Sequence, residues 1–428
     1  MRLALLILML LVMPTRPVSA DDPFDDAMDA LLRLHAENVR LQAENDALRD
    51  AGELRLVQAL TDQAVFVQVD EPDVDVTHVW SSDGTTLKGF NAAFVYDEPG
   101  TYMIDLDGKA HTRVVVGARS ELLIRQLPAG EVRGPIVARA GELILGHPDP
   151  HRGTIITGPS NRHLIDATAG NVTVRGVTFR HDDLAGKDGM CVRPGDGLAV
   201  IDCTIERAAN VIVTDFGYQL DGLYFAGNRQ VGTDTIRRYG LGLFGDSTNV
   251  VATGNTFNNS NDEHIFRLSG AYDRTDYGGT RFVSVTGNDL SNLSERNGGP
   301  PRDMGKSAVI LQVGAFAYVG DNRLVGANGV GPLPRGPESI RSKDTRFRVA
   351  RWENNVVEGT MQFDHGAEHV RYVGGSITSE TANAVEFHGG SAEHGRSLVD
   401  VVMEDFVITG KAGHGSLLRV WPGAQPGE

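Results

Sequence analysis

Residues 282–290 read FVSVTGNDL, residues 316–325 read FAYVGDNRLV and residues 347–357 read FRVARWENNVV, with NVVATGNTF one step earlier at residues 249–257. The shared asparagine recurs at Asn255, Asn288, Asn322 and Asn355, an interval of about 33 residues. Stacked supersecondary units need matching lengths to keep their cores in line, so this held interval predicts one rung of a parallel β-solenoid per repeat. Inward residues of successive rungs then stack in rows, and a row of asparagines can bond its amides along the axis. The four asparagines are therefore expected to be scaffold. Val177 and Cys203 hold the same motif position upstream, so the ladder is expected to begin after them.

From Glu121 onward, short β-branched runs punctuated by glycine follow one another without a helical pattern. Each rung pairs a V-x-V-x-G-N-x-F strand with a second one, such as HIFRLSG, AVILQVG, TMQFDHG or AVEFHGG. This arrangement resembles the right-handed, single-stranded parallel β-helix of pectate-lyase-like proteins, over residues 119–428. Polar, Gly-rich and Pro-rich insertions are expected at 259–262, 271–280, 291–306 and 327–337, gathered on one side as binding loops often are.

Residues 54–118 change to alternating strands with turn signals between them, which predicts a small β-sandwich and an all-β molecule. The stretch VWSSDGTTLKGFNAAFVYDEPGTYMIDL within it resembles an immunoglobulin-like PKD domain, which implies a spacer or adaptor with no chemistry of its own. Residues 21–53 predict a short helix. Leu34, Leu41 and Leu48 recur at heptad spacing with Asn38 and Asn45 three before the last two leucines, which suits a homo-oligomeric coiled coil over 25–49 or a solvated amphipathic helix. Residues 1–20, MRLALLILMLLVMPTRPVSA, have the charged start, apolar run and small-residue end of a secretory signal peptide, so a secreted or periplasmic protein is expected. No later segment is apolar for long enough to span a membrane.

Lys and Arg number 40 against 56 Asp and Glu, a net charge of −16. That balance argues against nucleic acid as a partner, which would draw on basic surface. The two cysteines, Cys191 and Cys203, either bridge or serve as small buried hydrophobes; neither has a CxxC partner for zinc or redox work.

If the apolar residues of the second strand point inward, the residues between them form outward columns. One column is expected to hold Arg267, Ile310, Arg341, Gln362, Glu386 and Arg419, and the next Ser269, Gln312, Lys343, Asp364, His388 and Trp421. Rungs about 4.8 Å apart would bring Lys343 to Asp364 and Asp364 to His388. These columns suggest a face for a polysaccharide, with Arg267, Arg341, Gln362, Asp364 and Glu386 binding it. Arg341, Arg346, Arg348 and Arg351 are expected to crowd Lys343 and depress its pKa.

The segment PESIRSKDTRFRVARWENNVVEGTMQFDHG, from Pro337 to Gly366, resembles part of the alginate lyase and chondroitinase B family. The resemblance implies Lys343 as the base and Glu338 as a calcium ligand, with His365 or His388 assisting. It also implies an anionic, uronate-containing glycan, whose β-elimination needs a neutralised carboxylate, a base and a proton for the leaving oxygen. The family's arginine before His-Gly is replaced by Asp364, and an acid cannot clamp a uronate as a guanidinium does. Two other readings use the same residues. Asp364 and Glu386, with Asp262 or Glu263, would serve as paired carboxylates of a glycoside hydrolase. Asp364, His365 and His388 would hold a metal. The alternative to a lyase-like enzyme is a noncatalytic glycan-binding or envelope-surface protein.

Overall fold

The computed structural model describes residues 54–149, 152–215, 218–232, 235–269, 279–292, 307–330, 347–364, 366–379, 383–388, 398–410 and 417–421. The leader-like residues, the heptads, Glu338, Arg341, Lys343 and His365 lie outside these. Among the described residues the chain is all β apart from one 3-10 turn at Glu121–Leu123, and no helix is long and apolar enough to cross a membrane.

The solenoid is built from parallel strands that pair only with the rungs above and below, giving three sheets along one axis. Sheet I contains Leu198–Ile201, Gln219–Ala226, Asp246–Thr253, Thr280–Thr286, the end of Ser307–Gly320, Phe347–Glu353 and Ala367–Val373. Its inward row runs Val200, Phe225, Ala252, Val285, Val319, Trp352 and Tyr372 in register, all fully buried. Each large side chain in such a row contributes about 1.5–3 kcal/mol through lost apolar exposure. Sheet II follows a sharp corner and takes in Thr204–Arg207, Thr256–Phe257, Asp289–Ser291 and the start of Arg323–Val330. Sheet III then leads back to sheet I.

The corner between sheets I and II explains the repeated motif. Gly227, Gly254, Gly287, Asp321 and Asn354 have φ between 53° and 65°, a left-handed turn that Gly, Asp and Asn tolerate best. The asparagine after each one points inward. The Oδ1 of Asn255 accepts from the Asn228 amide at 2.9 Å and from its Nδ2 at 3.0 Å. Asn288, Asn322 and Asn355 repeat this for the asparagine before them, at 2.9–3.2 Å. The ladder also includes Asn228, whose Oδ1 caps it by accepting from the Cys203 amide at 3.0 Å. Asn228 follows Gly227 as Asn255 follows Gly254, so the Gly-Asn pair was a usable signal; a rung of 27 residues instead of about 33 obscured it. Cys191 and Cys203 are free and buried, with burial raising both thiols, Cys203 to about 12.

Upstream, Val79–Ser82, Thr85–Lys88, Gly100–Leu106 and Lys109–Gly117 form an antiparallel sheet facing the Ala64–Gln68/Asn91–Val95 pair. Trp80 is buried between them and donates its Nε1–H to Gly89 O at 2.9 Å. By its contacts the chain from Val57 on is one unit, so sandwich and solenoid are not separate bodies. The sandwich lies against the outward row of sheet I. Thr173 bonds Asp62 O, Ser284 bonds Asn91, Arg351 bonds Thr77 and Val74 O, and Arg371 pairs with Asp75.

Candidate functional site

Sheet III carries the outward face on which the sequence places its candidates. The strands Phe266–Ser269, the start of Ser307–Gly320, the end of Arg323–Val330, the end of Val356–Phe363, Val385–His388 and Leu418–Trp421 pair in that order. Arg267, Ile310, Gly329, Gln362, Glu386 and Arg419 fall in one register row. Gly329 thus stands where Arg341 was expected, and residues 327–330 are strand instead of loop. The reason is an inward asparagine: Asn328 is fully buried and its Oδ1 accepts from the Val309 amide at 3.0 Å, which breaks the apolar alternation that marks a strand. Of the arginines expected around Lys343, Arg348 and Arg351 are among the described residues. Arg348 and Arg351 belong to Phe347–Glu353 of sheet I and pair with Glu368 and Glu353, each at 2.8 Å.

Two neighbouring rungs bring Asp364 and Glu386 to either side of His388. The His388 Nδ1 lies 2.8 Å from Asp364 Oδ1 and its Nε2 lies 3.1 Å from Glu386 Oε2. Glu386 also accepts from Gln362 Nε2 at 3.3 Å and from Asn383 Nδ2, and Asn383 O accepts from Thr360 at 2.8 Å. These side chains alternate with the core residues Met361, Phe363, Val385 and Phe387, so they face outward, yet Asp364 is fully buried and Glu386 and His388 are 4% and 8% exposed. Both ring nitrogens of His388 can donate to carboxylates only when the ring is an imidazolium. Burial works against that charge, but the hydrogen bonds and negative charges of Asp364 and Glu386 outweigh it and push the His388 pKa up to about 9.

Three to four rungs back along the same row sits a second polar group. Arg267 Nε donates to Gln312 Oε1 at 2.8 Å and Nη1 to Tyr239 Oη at 3.3 Å, and its guanidinium lies over Phe244, 4.9 Å from the ring centre. Glu263 is 4.0 Å from Arg267 and 3.9 Å from Arg238. At about 4.8 Å per rung, Arg267 stands roughly 14 Å from Gln362 and 19 Å from Glu386. The sequence placed Arg267, Gln362, Asp364, Glu386 and His388 on one face, and the structure separates Arg267 from the other four along it. The sequence missed Asn383, which carries no motif, and the Tyr239–Phe244 support of Arg267, which comes from an adjoining rung.

Among the described residues, no set of three or more His, Cys, Asp or Glu is arranged to hold a metal ion. The expected calcium site at Glu338 lies outside them, and calcium does not fit between Asp364 and Glu386, because the ring of His388 already bridges that pair.

No family model and no curated protein matches this chain. Among solved structures it is similar to tailspike protein 3 of bacteriophage CBA120, with 10% identity and a TM-score of 0.31 over 72% of this chain and 54% of that one. The chain thus spans about half the length of that tailspike. It is also similar to the catalytic domain of a GH87 α-1,3-glucanase in complex with nigerose, with 12% identity and a TM-score of 0.32 over 83% of this chain and 90% of that one. At such identity the chemistry must be argued from the site's own residues.

Proposed function

We propose that the protein is an exported polysaccharide-acting protein that takes an extended glycan along the outward face of sheet III. It cleaves glycosidic bonds by acid–base chemistry at Asp364, His388 and Glu386. The observation that carries this reading is His388 held between carboxylates from two neighbouring rungs. Cleavage needs a proton at the leaving oxygen and a base for the attacking water or for a sugar proton. The imidazolium of His388 gives its proton to the leaving oxygen, one of the two carboxylates takes the proton of the attacking water, and that proton passes to the imidazole to restore its charge. A solenoid repeats its outward positions rung by rung, which suits a repeating ligand.

Two carboxylates against one imidazolium leave this centre net negative. A uronate carboxylate at the scissile sugar would be repelled, so hydrolysis of a sugar neutral at that position is favoured. β-Elimination would instead rest on Lys343 as base and Glu338 with calcium. Incubation with neutral glucans, alginate, polygalacturonate and glycosaminoglycans distinguishes the two: new reducing ends without an unsaturated product mean hydrolysis, and an unsaturated product means elimination. His388→Asn should abolish hydrolysis while leaving glycan retention. Turnover unchanged by His388→Asn would overturn the assignment.

The second reading, glycan binding without turnover, is favoured by one observation: Glu386 is engaged by Gln362, Asn383 and His388 together and is almost wholly buried. It predicts retention on a glycan column with no product from any polysaccharide, and no effect of His388→Asn beyond weaker retention.

A further inference from the structure

Sheet I carries a continuous line of left-handed residues that pairing skips. Thr248 pairs with Arg281 and Val250 with Val283, leaving Asn249 and Phe282 unpaired between them. The same skip recurs at Phe316, Val349, His369 and Asp400. All have φ between 51° and 62°. Asn, His and Asp are residues that visit this region, whereas for a bulky or β-branched side chain it is a genuine outlier. The three outliers, Phe282, Phe316 and Val349, are consecutive, and they are the members of the line that pack against the apolar core of the sandwich. The rings of Phe282 and Phe316 also lie 5.1 Å apart.

The opposing surface is fitted to the same line. At Gly222, in the equivalent position of an earlier rung, an added Cβ would come within 2.8 Å of the Phe66 ring of the sandwich. At Gly89 of the sandwich, an added Cβ would collide with Ser284 Oγ and come within 3.2 Å of the Tyr318 Cβ. The sandwich therefore presses in where the solenoid has glycine and is filled where the solenoid has Phe, Phe and Val. Buried polar contacts close the seam: Asn91 Nδ2 donates to Val250 O at 3.1 Å, and Arg119 Nε donates to Thr61 O at 2.8 Å while its Nη1 reaches Gly141 O.

We infer that the sandwich is a permanent brace on the solenoid. Its apolar underside holds Phe282, Phe316 and Val349 in a backbone conformation they would not keep on a bare sheet, so that sandwich and central rungs fold and unfold as one body. Strain persists only where surroundings over-determine it, and here the surroundings are supplied by the docked module. A swinging adaptor, as a PKD-like spacer would be, is not compatible with this seam.

The test uses the full chain and turns on a sign. Phe316→Asn removes backbone strain and removes the docking contact at once. If the brace holds, the contact outweighs the relief, and the thermal midpoint falls by about 2 °C or more. Val349→Asn is the milder version and moves in the same direction. His369→Asn, on the same line but outside that apolar core, leaves the midpoint unchanged or raises it. Hydrogen exchange in denaturant supplies the second measurement: strands Gly100–Leu106 and Thr280–Thr286 open at one midpoint in the natural protein and at two in Phe316→Asn. A higher midpoint for Phe316→Asn, or separate openings in the natural protein, overturns the proposal.

Discussion

His388 has a folded-state pKa of about 9 against an ordinary value of 6.5, because Asp364 and Glu386 favour its charged form more than burial opposes it. The raised value gives the bridge a definite pH window. Its contribution to stability is fully present below about pH 6.5 and is lost as pH rises through about 9. The protein should therefore lose stability on the alkaline side, and His388→Gln should flatten that limb, as read from urea midpoints at about pH 6 and about pH 10. Cleavage should fall over the same alkaline range as the donor deprotonates. A second residue gives the opposite kind of test. Tyr372 is buried in the inward row, and its hydroxyl has no hydrogen-bond partner among the described residues. Tyr372→Phe should raise stability by up to ~1–3 kcal/mol, since it removes a polar group that burial leaves unsatisfied. Neither feature is visible in a sequence, where His388 is one of several histidines near acids and Tyr372 one more aromatic.

At the level of the element, the asparagine ladder shows how a repeated residue holds rungs together. Asn288 accepts two hydrogen bonds from Asn255 and donates to Ala252 O, Thr286 O and Asn322. Asn288→Ala would strand the buried Asn255 amide and one of its two Nδ2 hydrogens, the other being held by Phe225 O, and should cost about 2–3 kcal/mol in chemical unfolding. The loss should exceed that of an outward change on the same rung such as Asp289→Ala. This element was legible because left-handed corners admit few residue types and the inward amide must repeat. The strand at residues 327–330 was illegible for the converse reason, since a buried asparagine there replaces the expected apolar residue. The strand that pairs with residues 361–363 from the preceding rung is therefore the one at residues 328–330, and the register row holds Gly329 where the sequence placed Arg341.

For the whole molecule, a net charge of −16 and a net-negative centre both act against polyanions, while Arg238 and Arg267 already have Glu263 nearby. Retention of a neutral glycan should therefore be indifferent to salt, whereas any retention of a uronate polymer should strengthen as salt screens the repulsion. Retention of polyuronate that weakens with salt, read on an affinity column, would place a cationic groove on the glycan face instead. The solenoid, its repeat and the outward residues Arg267, Gln362, Asp364, Glu386 and His388 were all determined by the sequence, because periodicity is a local property of a chain. The burial of Gln362, Asp364, Glu386 and His388, the bridging of two carboxylates by one imidazolium and the fusion of the sandwich to sheet I were decided only by the tertiary structure. Each depends on which side chains meet across rungs tens to hundreds of residues apart, and spacing along the chain does not encode that distance.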